Sequence, residues 1–307
     1  MPEGNTIHRL AREQTRDFGG RVVRARSPQG RFAREARRLD GRTFLRADAH
    51  GKHLFQFWEE GRIVHVHLGM AGDFYRFEGS APRPRPTVRL RLVAEPVTVD
   101  LIGPPTCELI TERERLAILA RLGPDPLRDD SNPESVRAAF QKRPHRAIAD
   151  ALLDQRVIAG VGNIYRSEAL FLTGIHPLRR SGKVSSEEWL ALWETLRALL
   201  RRGVGEGTVT VDASEAVHPR AVAERAKDED DFYVYRKTIC RRCGSRLREL
   251  AVSGRRMFAC PSCQPGRRGM TRGGNLRTPA AARSGSAPRR RPTTSRPARD
   301  RAPGRRG

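Results

Sequence analysis

The chain has 307 residues, a formal net charge of +24 and 37% hydrophobic residues. That length suits about two domains at the usual ~100–200 residues each, and the apolar share falls below the customary ~45–50%, so part of the chain is expected not to fold. No run of about 18 apolar residues occurs, which excludes a membrane-spanning helix, and a charge of this size calls for a polyanionic partner.

From Glu3 to about Phe18 the spacing of Ile7, Leu10, Ala11 and Phe18 predicts a helix. Past Gly19-Gly20 the texture changes to short alternating runs at 21–25, 43–47, 53–58, 63–68, 73–77, 87–93 and 97–102, the pattern of a β-sandwich or barrel. From about Glu112 the period turns helical, over 112–122, 133–141 and 144–155, then 164–173 and 185–201. Asn132-Pro133 and Pro144 are plausible helix starts, and Ser185 with Glu188 forms a capping-box pattern. The link Ile158-Ala-Gly-Val-Gly-Asn163 is punctuated by glycine, and residues 205–231 read as a linker. Residues 266–307 hold thirteen arginines and one acid, a net of +12, leaving 24 − 12 = +12 on residues 1–265. A tail of Arg, Pro, Gly, Ser and Ala has too little to bury to offset its ordering entropy.

Four of the five cysteines cluster late, as Cys240-x2-Cys243 and Cys260-x2-Cys263. Two such knuckles converge four thiolates on one ion, and a closed four-sulfur shell implies a single structural zinc. Leu247–Val252 and Met257–Ala259 between them read as a hairpin, and Arg241, Arg242, Arg246, Arg255 and Arg256 around it suit phosphate contacts. Two disulfides are the alternative pairing; Cys107, far off, is expected to be buried and inert. Reduced cysteines and a start without a secretory pattern point to the cytoplasm, and a monomer is expected.

The start Met1-Pro2-Glu3 carries a chemical possibility. Removal of the methionine exposes the secondary amine of Pro2, whose reference pKa of about 7.7–8.0 leaves an appreciable neutral fraction. Such an amine can attack C1′ of a deoxyribose, expel the base and form an iminium that promotes β-elimination of the 3′ phosphate. Glu3 beside it can serve as acid or base. The plainer alternative is a helix start with proline at its first position and an acid in its first turn.

Six motifs in order decide between these. Met1-Pro-Glu-Gly4, Gly51-Lys-His-Leu54, His67-Leu-Gly-Met-Ala-Gly72, Leu122-Gly-Pro-Asp-Pro-Leu127, Asp154-Gln-Arg-Val-Ile-Ala-Gly-Val-Gly-Asn-Ile-Tyr165 and the four-cysteine finger together resemble the formamidopyrimidine-DNA glycosylase / endonuclease VIII family, over residues 1–264. The resemblance implies an α+β multidomain protein: an N-terminal β-sandwich with leading helix over 1–111, a helix–two-turn–helix domain with linker over 112–232, a β-hairpin zinc finger over 233–264 and a disordered tail over 265–307. It implies that Pro2 is the Schiff-base nucleophile, Glu3 the acid/base at the sugar, Lys52 an aid to β-elimination near the lesion's phosphate, and Arg255 a phosphate contact supporting δ-elimination. Asn163 and Arg121 would contact phosphate, and Met70 would wedge into the gap left by an everted nucleotide. Cys240, Cys243, Cys260 and Cys263 would hold the zinc, and damaged double-stranded DNA is the implied partner.

Two departures bear on the lesion. The stretch Asp100–Leu109 lacks the arginine–phenylalanine pair of the formamidopyrimidine branch, and 205–231 lacks its glycine-rich loop, so the chain looks closer to the endonuclease VIII branch and to oxidised pyrimidines and abasic sites. His67–Gly72 looks more like the other branch, and Asn5-Thr6 departs from both. A non-catalytic zinc-finger protein binding damaged or single-stranded DNA is the competing reading.

Overall fold

A computed structural model describes residues 2–207, 220–221 and 232–266. The calls on 208–219, on 222–231 and on the tail from 267 lie outside the described residues.

The leading helix α1 (Gly4–Phe18) buries Ile7, Leu10, Ala11 and Phe18 on one face, the stripe expected from their spacing. Seven strands follow near the expected places: β1 (Arg21–Arg26), β2 (Arg42–His50), β3 (His53–Trp58), β4 (Arg62–His67), β5 (Asp73–Glu78), β6 (Val88–Ala94) and β7 (Val97–Ile102). An eighth, β8 (Thr106–Ile110), which no sequence run marked as a strand, pairs with β4. Its backbone amides complete the ladder beyond β4, and Cys107 turns inward. The sheet order is β5-β7-β6-β1-β2-β3-β4-β8. Strand β1 joins the two halves, pairing through Arg21–Val23 with β2 and through Arg24–Arg26 with β6. Alternate residues of both halves then face one core with α1, including Phe44, Leu54, Trp58, Leu90, Leu92 and Leu101.

A short helix, α2 (Ala33–Leu39), closes this core between β1 and β2, with Ala36 and Leu39 buried. Its arginine-dominated exterior conceals the pattern Phe32, Ala36, Leu39, spaced four and three apart. The second core holds α4 (Pro133–Lys142), α6 (Asn163–Leu172), α7 (Ser186–Glu206) and the hairpin of β9 (Arg248–Val252) with β10 (Arg255–Ala259). Helix α3 (Glu112–Leu119) starts at a Thr111/Glu114 capping box. Ile118 and Leu119 pack with Phe55, Ile63 and Ile110 on the far face of the sheet. The expected box at the start of α7 is present, with Glu188 N donating to Ser185 Oγ at 3.2 Å. The long helix expected over 144–155 is not formed: only α5 (Ile148–Ala151) is helical. Arg146 instead ties the turns together by reaching Asp150 at 2.7 Å and Asp154 at 2.9 Å.

Candidate active site

Glu3 is the residue from which the site grows. Its backbone caps α1, yet its side chain gives α1 no hydrogen bond. The carboxylate crosses instead to α6, accepting from Ile164 N at 2.9 Å and Tyr165 N at 3.4 Å. Those are the second and third amides of α6, whose own N-cap, Gly162, has no side chain to offer. A carboxylate 161 residues away thus does the work of a local Asp or Ser cap. The helix N-terminus favours its charge, although Glu3 is only 1% exposed. A β-carbon on Gly162 would collide with the Glu3 carboxyl group, so glycine is required there by packing.

Backbones from three parts of the chain meet beside it. Gly4 N donates to Gly160 O at 2.9 Å, and a β-carbon on Gly51 would lie 2.9 Å from Gly160 N. Gly160 and Gly51 also take positive φ, +87° and +58°. Asp125 fastens this junction from beneath. Fully buried, it accepts from His8 Nε2 at 2.7 Å, Gly51 N at 2.7 Å and Leu127 N at 2.9 Å. Burial pushes its carboxyl up, but the His8 contact and the two amides outweigh that and leave it below its usual value. Sequence reading quoted Asp125 within a motif without giving it a role.

The junction places Lys52. Its Nζ donates to Val161 O at 3.0 Å, which holds the ammonium against the link between Gly160 and Gly162. Burial pulls its pKa down, the Glu3 carboxylate opposes this, and Arg255 and Arg166 add to the lowering. Glu3, Lys52, Arg255 and Arg166 are therefore close enough to feel one another's charge. Arg255 reaches this group from β10. Its neighbour Arg256 pairs instead with Glu249 at 2.6 Å.

Asn163 stands at the first position of α6, with its amide nitrogen donating to Arg256 O at 3.0 Å. Its Oδ1 accepts from Arg166 Nε at 2.9 Å and Nη2 at 2.6 Å. Arg166 is fully buried, and burial together with Arg255 lowers it to about 10. Glu168, also fully buried, accepts from the amides of Tyr233, Val234 and Tyr235 at 2.6, 3.1 and 2.8 Å. Burial raises it to about 7 while those amides pull the other way. Glu168 anchors the segment entering the finger to α6, Arg166 ties Asn163 to Ala149 O at 2.8 Å, and sequence reading missed both. A buried charge with a distant partner leaves no local pattern.

A cleft of about 520 Å³ opens on Pro2 and Glu3, with Met70, Asp73, Tyr75, Ile164, Tyr165, Phe232 and Tyr235 among its walls. Met70 is 77% exposed at its rim, outside either core. Lys52, Asn163 and Arg255 are not among the residues that line this cleft, although Lys52 feels the charges of both Glu3 and Arg255. Arg121 stands apart, beside a stack of histidines on the outer sheet face where His53 Nδ1 lies 2.9 Å from His65 Nε2.

Cys240, Cys243, Cys260 and Cys263 bring their four sulfurs within 4.8 Å of one another. The pairs at 3.8 Å (Cys240–Cys263) and 3.4 Å (Cys243–Cys260) are far longer than a disulfide. They match the ~3.8 Å edge of a tetrahedron with ~2.3 Å metal–sulfur bonds. The cluster can hold a metal ion. No described helix is long and apolar enough to cross a membrane.

A sandwich, a helical domain and a four-sulfur finger meeting at a cleft define a class of DNA-lesion enzymes, and comparison with known proteins gives the same class. Residues 1–102 match the formamidopyrimidine-DNA glycosylase N-terminal domain, and residues 122–215 match the formamidopyrimidine-DNA glycosylase H2TH domain. Endonuclease 8 1 of Mycobacterium tuberculosis is 44% identical over 270 residues, covering 86% of this chain and 100% of that protein. Probable endonuclease 8 2 of Streptomyces coelicolor is 32% identical, covering 87% of this chain and 95% of that protein. Formamidopyrimidine-DNA glycosylase of Thermomicrobium roseum is 32% identical, covering 75% and 84%. The fold is that of Lactococcus lactis Fpg (MutM), solved with DNA containing N7-benzyl-Fapy-dG (TM-score 0.70, 24% identity, 86% of this chain and 100% of that one). The chain belongs to the formamidopyrimidine-DNA glycosylase / endonuclease 8 family.

Proposed function

We propose that this chain is a base-excision-repair DNA glycosylase and AP lyase that acts on damaged duplex DNA, taking oxidised pyrimidines and bare abasic sites ahead of oxidised purines. The observation that carries this reading is the Glu3 carboxylate, held by the first amides of α6 directly beside Pro2 at a cleft wall. With Pro2 as first residue, its neutral amine attacks C1′ of an everted nucleotide. The glycosidic bond breaks, the base leaves with its electron pair and a proton, and the sugar ring opens to an iminium on Pro2. Glu3 stabilises the developing positive charge and carries the proton to or from the ring oxygen. Loss of a C2′ proton then expels the 3′ phosphate, and a second elimination expels the 5′ phosphate.

Lys52 and Arg255 supply the positive field in which those phosphates leave. Lys52, with its pKa lowered by burial, is suited to exchanging protons nearer neutrality than an exposed lysine. Asn163 adds a phosphate contact and Met70 fills the space vacated in the stack, whereas Arg121, by the outer histidines, is left without a part at the lesion. One zinc on the four cysteines supplies a rigid base for the hairpin bearing Arg255. The working units are the sandwich over 1–111, the helical domain over 112–232 and the finger over 233–264, followed by a basic tail.

The test is borohydride trapping on a duplex with a single abasic site. The chain with Pro2 at its mature start should form a covalent adduct and nick the strand, and the same chain with a retained N-terminal extension should do neither. An extended chain that traps as well as the processed one would eliminate Pro2 as nucleophile. In a panel of duplexes, thymine glycol and dihydrouracil should be excised faster than 8-oxoguanine.

A further inference from the structure

Among the described residues, three that are not glycine take positive φ: Glu60 and Ser253, each followed by glycine in the tight turn of a hairpin, and Arg236 at φ 58°. No hairpin closes at Arg236. Lys237 N donates to Val234 O at 3.2 Å, which makes Arg236 the third residue of a four-residue turn. With positive φ, that place ordinarily takes glycine, because a β-carbon strains the backbone there. The turn is firmly held. The Glu168 carboxylate accepts from the three amides before Arg236, and the Tyr235 ring packs against Phe232 at 5.5 Å and Phe258 at 5.7 Å. A long cation kept on strained backbone over a rigid support points to a use for its side chain.

Arg236 belongs to the wall of the cleft that opens on Pro2 and Glu3. Its guanidinium lies 5.3 Å from the centre of the Tyr235 ring, which steadies it and leaves its N–H donors unspent. Among the described residues its side chain makes no ion pair or hydrogen bond, whereas Arg9, the other arginine of this wall, is taken by Glu13 at 2.8 Å. Asp73 lines the same cleft from the sandwich, at the start of β5, where pairing with Ile102 fixes it. One of its oxygens accepts from Phe74 N at 2.8 Å, and none of the described cations pairs with it. An unmatched carboxylate is out of place in a groove that admits a polyanion unless the ligand brings a donor of its own. A phosphate brings none; the edge of a base does.

We infer that Arg236 and Asp73 read the imide edge of the everted base, Arg236 donating to the C4 carbonyl and Asp73 accepting from the N–H beside it. The inference rests on the glycosylase reading above and narrows it. Oxidised pyrimidines derived from thymine and uracil carry the run C=O, N–H, C=O; those derived from cytosine carry C=O, a bare ring nitrogen and an amino group. The cytosine edge sets a lone pair against the carboxylate and an amino donor against the guanidinium. A site built to hydrogen-bond one edge rejects the mismatched one strongly, because its own polar groups are then left unpaired.

The experiment uses the full chain and duplexes of one sequence carrying 5-hydroxyuracil, 5-hydroxycytosine or an abasic site, each opposite guanine. The two bases differ only along the edge in question. By kcat/KM the parent should excise 5-hydroxyuracil roughly tenfold or more ahead of 5-hydroxycytosine, and Arg236→Gly and Asp73→Ala should each bring that ratio to within about twofold of unity. In Arg236→Gly, excision of 5-hydroxyuracil should fall about tenfold further than nicking of the abasic duplex, which has no base to read. Its melting temperature should hold or rise, since glycine takes positive φ freely, so unfolding cannot account for the loss. Equal falls on the base and abasic duplexes would make Arg236 a phosphate contact and overturn the inference. So would a parent indifferent to the two bases, or variants that keep the parent's ratio; nicking of the abasic duplex would in each case leave the glycosylase reading standing. A parent that neither nicks nor traps that duplex removes the glycosylase reading itself, and the edge reading with it.

Discussion

At Gly162 one hydrogen atom separates a working site from a steric collision. The Glu3 carboxyl group occupies the space a side chain would need, because only there can it reach the amides of Ile164 and Tyr165. Gly162→Ala is therefore expected to displace the carboxylate, slow strand nicking by about 100-fold or more and lower the melting temperature. Gly205→Ala, on the exposed last turn of α7 with open space at its β-carbon, is the control and should leave nicking unchanged. If both alanines nick at the parent rate, the carboxylate does not depend on that gap. Sequence reading placed this glycine in a glycine-punctuated link before Asn163. What the glycine admits within the fold is the side chain of Glu3.

Between elements, the connections that matter are buried polar ones. Glu3 caps α6 from α1, Asp125 joins α1 to the β2–β3 turn, and Glu168 of α6 holds the segment leading into the finger. The outer face of the sheet makes a contrasting case. His53 is depressed to about 3 by burial and by His65, His67, His50 and Arg121; His65 to about 4 by burial, His67 and Arg121. Unfolded histidines take up protons near pH 6.5. Between that pH and about 4 the unfolded chain gains protons that the native stack refuses, so stability is lost as pH falls through this window. Glu168, raised to about 7, works with the opposite sign: the unfolded carboxyl ionises first as pH rises from about 4.5. The informative comparison is thus parent against His65→Phe, whose melting temperature should decline less steeply from pH 7 to 4.5. Parallel profiles would show that the stack does not titrate in that range.

For the whole molecule, the finger is part of the second core rather than an appendage. Cys240, Val252, Met257, Phe258 and Cys260 are buried together with α6 and α7. Removing the metal with a chelator should therefore lower the melting temperature and abolish nicking together, since the hairpin placing Arg255 loses its base. Release of about one zinc per chain on titration with a thiol reagent checks the stoichiometry. Retained nicking in metal-free protein would place the cluster outside the working site.

Periodicity and motif order made the leading helix, seven strands and most of the helical domain legible, because each buries a regular stripe against a neighbour. The four cysteines were legible because tetrahedral ligation demands a local spacing. Strand β8 was missed since an edge position rests on its pairing with β4, and α2 since its apolar stripe is hidden among arginines. The amino-acid order alone determined the family, the candidate nucleophile and its acidic neighbour, and the metal ligands. Only tertiary structure decided that Glu3 caps a helix 161 residues away, that Arg255 lies near Lys52 while Arg256 pairs with Glu249, and that Asp125 ties His8 of α1 to the Gly51 amide. The reason is physical: a buried charge is stabilised by partners brought in from distant segments, and linear spacing carries no record of them.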